Sequence, residues 1–177
     1  MSVKSPLRHG MPGRVLVLAM ALFCATNYSR GAGSPVIKAT LDTSAVRLGS
    51  TITVTIRINR ARNVGSVPFT LLYDPAILEY VETTSHEGGF LRQNRATTSF
   101  VARGGPLSRG GGVVVGLARL NPARGADGKG VLCRLTFRAI APGLSPLTFS
   151  RAALLDPASQ PIGASFTGTT IRVRPAS

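Results

Sequence analysis

The sequence is poor in the residue types that many enzymes and disulfide-stapled domains depend on. Among 177 residues it has no tryptophan, two cysteines, two histidines and seven acidic residues. Cys24 lies in the N-terminal segment, so Cys133 has no partner for an internal disulfide, and the domain must be held by its core. The same scarcity excludes a Cys/His zinc cluster. Because Cys133 alternates with apolar residues, we expect it to be a small buried side chain.

The scarcity of histidine also limits catalysis. His86 is the only histidine after the N-terminal segment, and it lies in a polar stretch, 83–89, that we expect to be a solvated loop. Asp74 is expected to cap a turn, not to act as an acid or base. Asp127 with Asn121 offers too few oxygen ligands for a calcium site. We therefore expect no catalytic residue, no metal and no cofactor.

Charge is strongly one-sided, with 21 Lys and Arg against 7 Asp and Glu. Without residues 1–33, 17 basic residues remain against the same 7 acidic ones, a charge of +10. Such an excess favours an anionic partner, for example an acidic glycan or a membrane surface. The alternative is an arginine-rich composition without a binding role, since the charges come singly along the chain. No basic run of the kind that binds nucleic acid is present, so we expect no nucleic-acid partner.

The N-terminus has the pattern of a secretory signal peptide. Basic residues precede an apolar stretch at 15–25, which is too short to span a bilayer, and small residues at 31–33 suit cleavage. Phe23 precedes Cys24 where lipoprotein signals have a small residue, which argues against lipidation. We expect a signal peptide at 1–33, a domain at 34–177, no later membrane span, and a secreted, extracellular or periplasmic location.

After the signal, apolar residues recur at alternate positions, as in strands with one buried face. In the central segment, Val67, Phe69, Leu71 and Tyr73 alternate with smaller or polar residues, and Asp74 with the following proline ends the run. This periodicity predicts an all-β sandwich of nine strands. The predicted strands are 36–41, 51–58, 66–73, 77–82, 97–103, 113–119, 131–139, 147–155 and 169–174.

Two segments are harder to interpret. The glycine-rich stretch 104–112 predicts a flexible loop without packing of its own, and 121–130 predicts another loop. The strand 113–119 carries apolar residues on both faces, which indicates either burial on both sides or an exposed apolar patch.

Three segments resemble the cohesin domain family. They are 69–79 (FTLLYDPAILE), 46–56 (VRLGSTITVTI) and 128–137 (GKGVLCRLTF), and the similarity extends over about 36–174. The resemblance implies a nine-stranded jelly-roll sandwich without catalytic activity. One sheet would hold the eighth, third, sixth and fifth strands, and its outer face would bind dockerin modules. The other sheet would hold the fourth, seventh, second, first and ninth strands.

This arrangement assigns two candidate surfaces. The partner-binding face would present Ser66, Pro68, Thr70 and Leu72 from the third strand. Cohesins of cellulose-degrading assemblies tend to have acidic or amide residues where Ser66 and Pro68 stand here, and Pro68 cannot donate to a ladder. The second surface is a predicted basic face on the other sheet, formed by Arg57, Arg134, Arg138, Arg172 and Arg174.

The resulting hypothesis is an exported, non-catalytic protein-binding module of cohesin type, acting at the cell envelope or outside the cell and linked to polysaccharide degradation. Its partner would be dockerin-like or an envelope component. Alternatives are a carbohydrate-binding module, for which only Tyr80 offers a ring that could be exposed, and an assembly component of a secretion channel. An electrostatic binder of acidic glycan or lipid headgroups, acting through the predicted basic face, is a further alternative.

Overall fold

The structure, a computed structural model, describes residues 33–43, 45–107, 110–120 and 124–175. The predicted signal peptide therefore lies outside the described residues apart from Gly33, and so does Cys24. The described chain forms eleven strands and one short 3-10 helix, Gln93–Arg95. The strands are β1 (Val36–Leu41), β2 (Ala45–Arg47), β3 (Thr51–Val64), β4 (Phe69–Tyr73), β5 (Leu78–Glu87), β6 (Thr98–Leu107), β7 (Gly110–Arg119), β8 (Ala126–Ala139), β9 (Gly143–Ser150), β10 (Ser165–Thr167) and β11 (Thr169–Arg174).

The strands form two sheets. The five-stranded sheet has the order β10-β1-β3-β8-β5, and the six-stranded sheet has the order β2-β11-β9-β4-β7-β6. The prediction of an all-β sandwich is confirmed. Each of the nine predicted strands has a counterpart, and the three-residue strands β2 and β10 are additional. Within the described residues, no helix has the length and apolar character needed to cross a membrane.

The aliphatic and aromatic core lies between the inner faces of the sheets. Phe137 of β8 is fully buried, and its ring meets Tyr73 and Tyr80 edge-on or tilted, with centroids 5.1 and 5.6 Å away. Phe69 and Phe149 make a second such contact at 5.3 Å. Edge-to-face pairs of this kind add to the free energy gained from burial. The core therefore fixes how the two sheets stack.

The sheet assignment of the last strand was wrong. β9, β4, β7 and β6 lie together as predicted, but β11 pairs antiparallel with β9 and belongs to the six-stranded sheet. Its inward residues, Ile171 and Val173, are buried in the shared core, which both sheets line. Alternation therefore fixes which side of β11 is buried but does not choose its sheet.

The described residues of the glycine-rich stretch, 104–107 and 110–112, lie in two paired strands and not in a loop, contrary to the prediction. β6 and β7 pair without a register shift from Thr98 opposite Arg119 to Leu107 opposite Gly110. Gly104 and Gly111 lie directly against the rings of Tyr80 and Tyr73 respectively. The absent side chains leave room for these rings, so the glycines have a packing role that composition alone does not reveal.

Other strand limits also differ from the prediction. β5 extends into the expected loop 83–89 as far as Glu87, with a register shift between Val81 and His86. β8 starts at Ala126, inside the expected loop 121–130. β9 ends at Ser150 because Arg151 has a left-handed backbone with φ 47°.

Candidate functional site

The outer side of the six-stranded sheet carries an exposed apolar surface. Four side chains form it, and we call them the apolar face: Leu72 of β4, Val101 and Leu107 of β6, and Val114 of β7. Val114 is 51% exposed although its neighbours Val113 and Val115 are buried. Of the two interpretations that the sequence left open for this strand, the structure selects the exposed patch.

The pairing register brings the predicted partner-binding residues onto this same side. Thr70 lies opposite Val114, and Leu72 lies opposite Gly112. An isolated bridge joins Ser66 to Ala118 in the same register, so Ser66, Thr70 and Leu72 follow one line along β7. This places the candidates together, but their binding role stays a prediction.

The candidates differ in how much surface they offer. Thr70 is only 7% exposed, because Ser150 and Val114 flank it on the neighbouring strands. Leu107 reaches over Gly112 beside the Thr70 methyl group. Leu72 is half-buried. The exposed part of the surface therefore comes mainly from β6 and β7. The sequence analysis gave an exposed patch on the β7 segment as one of two interpretations, but it assigned no binding residue to either strand.

Pro68 lies just outside the ladder, as expected for a residue without an N–H group. Its carbonyl accepts a hydrogen bond from the Ala153 N–H at 3.0 Å, while the preceding Val67 N–H donates to the Leu117 carbonyl at 2.8 Å. Regular pairing of β4 begins only at Phe69. Pro68 therefore delays the start of the strand that the sequence placed at Ser66.

The charged residues near the apolar face have both signs, since Glu82 lines a recess together with Val101, and Asp74 lines another together with Leu72. Arg103, opposite Val114 on β6, pairs with Glu82 at 2.8 Å. Arg172 and Arg174 of β11 alternate with buried residues, and their register partners on β2 are Ala45 and Arg47. The carboxylate side chains lie on other elements: Asp42, Asp74, Glu79, Glu82, Glu87, Asp127 and Asp156. A partner for this surface would thus meet an apolar centre with an arginine–carboxylate pair at its edge and further arginines beyond β9.

The predicted basic face is not one surface. Arg57, Arg134 and Arg138 do lie on strands of the five-stranded sheet, but Arg172 and Arg174 lie on the other sheet with β11. Arg138 is also occupied, because its guanidinium binds the Glu79 carboxylate on β5. Arg134 lies opposite Thr55 and His86. The error follows directly from the sheet assignment of β11.

The residues considered for catalysis have separate, ordinary environments. His86 is exposed, and its Nδ1 lies 3.1 Å from the Thr84 carbonyl. Burial raises the pKa of the Cys133 thiol, with the Glu87 carboxylate acting in the same direction. Asp74 accepts the Ala76 N–H at 2.9 Å, the turn cap that the sequence predicts. In the part of the chain that the structure describes, no three His, Cys, Asp or Glu side chains are grouped as metal ligands.

Tyr80, the one ring proposed as a carbohydrate platform, is half-buried. It packs against Phe137 and Gly104, and its hydroxyl lies 3.4 Å from the Ala102 carbonyl. Burial raises the pKa of this hydroxyl. The ring is therefore part of the packing between β5 and β6, which weakens the carbohydrate-binding alternative.

The fold and this surface define a two-sheet β-sandwich domain with an exposed apolar sheet face. The sequence model of the cohesin domain family matches residues 37–173, nearly all of the described chain. The chain therefore belongs to the cohesin domain family, which confirms the resemblance seen in the sequence. No curated protein matches the chain at a significant level.

Solved structures of cohesins are similar in fold. A non-cellulosomal cohesin from Archaeoglobus fulgidus is 24% identical, with a TM-score of 0.60 over 80% of this chain and 92% of that one. The type II cohesin–X-dockerin complex from Acetivibrio cellulolyticus matches at 16% identity and a TM-score of 0.66, covering 80% of this chain and 100% of that one. A type I cohesin–dockerin complex from Clostridium thermocellum matches at 14% identity and a TM-score of 0.62, covering 81% and 95%.

Proposed function

We propose that this protein is an exported, non-catalytic protein-binding module whose partner docks on the apolar face. The observation that carries the proposal is the set of exposed apolar side chains on adjacent strands, with Val114 and Val101 each about half exposed at 51% and 49%. Leaving such a contiguous patch in water is unfavourable, and patches of this kind mark interaction sites.

The size of the surface suits such an interface. Four strands spaced about 4.8 Å apart and about eight residues long give a plane of roughly 19 by 26 Å. With side-chain relief and a polar border, this approaches the ~800 Å² per partner of a standard protein interface. A sheet face of this size fits one or two helices of a partner.

The charge pattern suggests what the partner presents. Arg47, Arg172 and Arg174 lie on β2 and β11 of the same sheet, beyond β9, and none of them appears among the ion pairs of the described residues. Arginine at an interface border favours carboxylates and selects partners by charge complementarity. We therefore expect a partner with an apolar helical surface flanked by acidic residues.

A dockerin-type module is the partner that family membership favours, since two of the similar solved structures are cohesin–dockerin complexes. Ser66 and Pro68 depart from the acidic or amide residues expected at those positions, so we infer a dockerin-like partner adapted to an apolar and basic surface. An envelope component that presents an apolar surface flanked by acidic residues would fit equally. Action outside the cell, in polysaccharide degradation, is the setting that we propose.

Substitution of the exposed residues tests this placement. Val114→Arg and Leu72→Arg would put charge into the apolar centre, whereas Thr70→Glu would also disturb packing because Thr70 is covered. A matched control is Ile140→Arg, since Ile140 is 45% exposed but follows β8 of the other sheet.

Binding would be measured by calorimetry against purified type I and type II dockerin modules and against modules with acidic helix borders. We expect Val114→Arg to weaken binding at least tenfold, about 1.4 kcal/mol, and Ile140→Arg to leave it unchanged. Equal binding by the unsubstituted protein, Val114→Arg and Ile140→Arg would refute the placement on the apolar face. Absence of binding to any of these modules would refute the dockerin-like partner.

A further inference from the structure

The five-stranded sheet carries a groove that the proposed function does not use. It lies across β1, β3 and the start of β8, on the side of the sandwich opposite the apolar face, and has a volume of about 500 Å³. Its lining combines four cationic side chains, Lys38, Arg57, Arg60 and Lys129, with the aliphatic residues Val36 and Ile58.

Irregular pairing shapes this groove. The register between β3 and β8 shifts between Ile56 and Arg57 and again between Ile58 and Ala61. Such bulges bend the strand and redirect side chains. Here the shifts coincide with the groove, so the strands do not form a flat surface where Arg57, Arg60 and Lys129 emerge.

Arg60 has a backbone that non-glycine residues rarely adopt. Its φ is 57°, and its N–H donates to the Asn59 Oδ1 at 2.8 Å. A left-handed conformation is unfavourable for a residue with a side chain. Such outliers cluster at binding sites, where they aim a side chain. At this position the unusual backbone sends a guanidinium to the end of the groove, beside Gly33.

The four cations are not neutralised by the protein. Lys38 and Arg57 lie opposite each other in the β1–β3 ladder, and like charges in that arrangement are destabilising. The ion pairs of the described residues involve other arginines, namely Arg92, Arg103, Arg124 and Arg138. No acidic side chain lines the groove. An anion bound there would relieve the repulsion and gain charge-assisted hydrogen bonds.

We propose that this groove binds an acidic polysaccharide through its carboxylate or sulfate groups. Several cations along one open recess suit a chain that carries a charge on successive units. The half-buried Val36 gives the apolar face of a sugar ring a small surface to pack on, whereas the Ile58 side chain is buried in the core. The site would be a second binding activity, separate from the apolar face.

Other polyanions fit the groove less well. Ile58 is buried in the core and Val36 is half-buried, so the groove offers little apolar surface to insert into a lipid membrane as membrane-binding segments do. None of its lining residues is aromatic, so the groove lacks the base-stacking platform of single-stranded nucleic acid. An acidic polysaccharide would be held by its charges, without the ring stacking expected of a neutral-sugar platform. These differences favour a polysaccharide over a membrane or a nucleic acid.

The test measures retardation and calorimetric binding of the full chain with polygalacturonate and with heparin, using dextran as the neutral polymer. The test variant is Lys38→Glu with Arg57→Glu. The control variant is Arg95→Glu with Arg151→Glu, which makes the same change in net charge at two exposed residues outside the groove. Melting temperatures verify that all proteins are folded, and Lys38→Gln with Arg57→Gln serves if the charge reversal destabilises the fold.

We expect binding to an acidic polymer but not to dextran, with an affinity that falls as salt is raised. The groove variant should lose about tenfold or more of this affinity, and the control variant less than about twofold. Equal losses in both variants would show a diffuse charge effect and overturn the proposal. Vesicles that contain roughly 30% phosphatidylserine are the membrane probe. Binding to these vesicles without binding to either acidic polymer would also overturn the proposal.

Discussion

A comparison of two neighbouring glycines in β6 would test how the glycine-rich hairpin is packed. Gly104 faces inward, and an added Cβ would lie 2.4 Å from Cδ1 of Tyr80 and 3.3 Å from its Cβ. Gly105 faces the other way, with nothing within 4 Å of an added Cβ. Neither has a left-handed backbone. Gly104→Ala and Gly105→Ala therefore differ in the folded state but make the same change to the unfolded chain.

The shared effect of both substitutions is a loss of unfolded-state entropy, which stabilises by about 0.4–1 kcal/mol where the native backbone tolerates alanine. Only Gly104→Ala adds a clash, and overpacking costs about 1–3 kcal/mol. The difference between the two variants isolates this clash, since the unfolded-state effect cancels. We expect Gly105→Ala to unfold at a higher temperature than Gly104→Ala by about 3–9 °C.

Thermal and urea unfolding followed by circular dichroism and tyrosine fluorescence would measure the difference, as the chain has no tryptophan to dominate the signal. In a Tyr80→Leu background the penalty for Gly104→Ala should shrink, because the ring that it meets is gone. Equal unfolding temperatures for the two alanine variants would refute the packing described here. They would favour the loose loop that composition predicts.

Three further predictions concern buried groups. Arg119→Met should lower the free energy of unfolding by about 2–4 kcal/mol, because the Arg119 guanidinium donates to the Gln93 and Arg124 carbonyls at 2.7 and 3.0 Å. Urea unfolding measures this loss, and a loss below about 0.5 kcal/mol would contradict the prediction. Cys133 should not react with a thiol reagent at pH 8 until urea unfolds the chain, since burial raises its pKa; rapid reaction of the folded protein would contradict its burial. Burial raises the pKa of Tyr73 and Tyr80. Groups with a raised pKa stabilise the fold below their unfolded pKa and lose that contribution as pH rises through the folded pKa, so the urea midpoint should fall above about pH 10. A midpoint that rises in this range would be inconsistent with the tyrosine environments.

Alternation predicted much of the fold because most strands bury one face. Phe69 and Leu71 of β4, and Ile52, Val54 and Ile56 of β3, are buried as the period of two requires. β8 breaks the rule, since Leu132 and Cys133 are consecutive and both fully buried. The register shift between β3 and β8 allows this, and a bulge has no clear signature in a single sequence.

The features that sequence did not predict depend on contacts between distant segments. Gly104 needs Tyr80, and Gly111 needs Tyr73, before their packing roles appear. The exposed position of Val114 follows from its pairing with Thr70. The basic groove likewise joins side chains from three strands, so a list of single charges along the chain could not reveal it.

The central claim is that the outer side of the six-stranded sheet is the protein-binding surface. Nuclear magnetic resonance of the isotope-labelled domain, titrated with a dockerin module that binds, would map the contact on all backbone amides at once. We predict that the largest shifts fall in β4, β6 and β7, around Leu72, Val101 and Val114. Shifts concentrated on β1, β3 and β8 instead would contradict the claim.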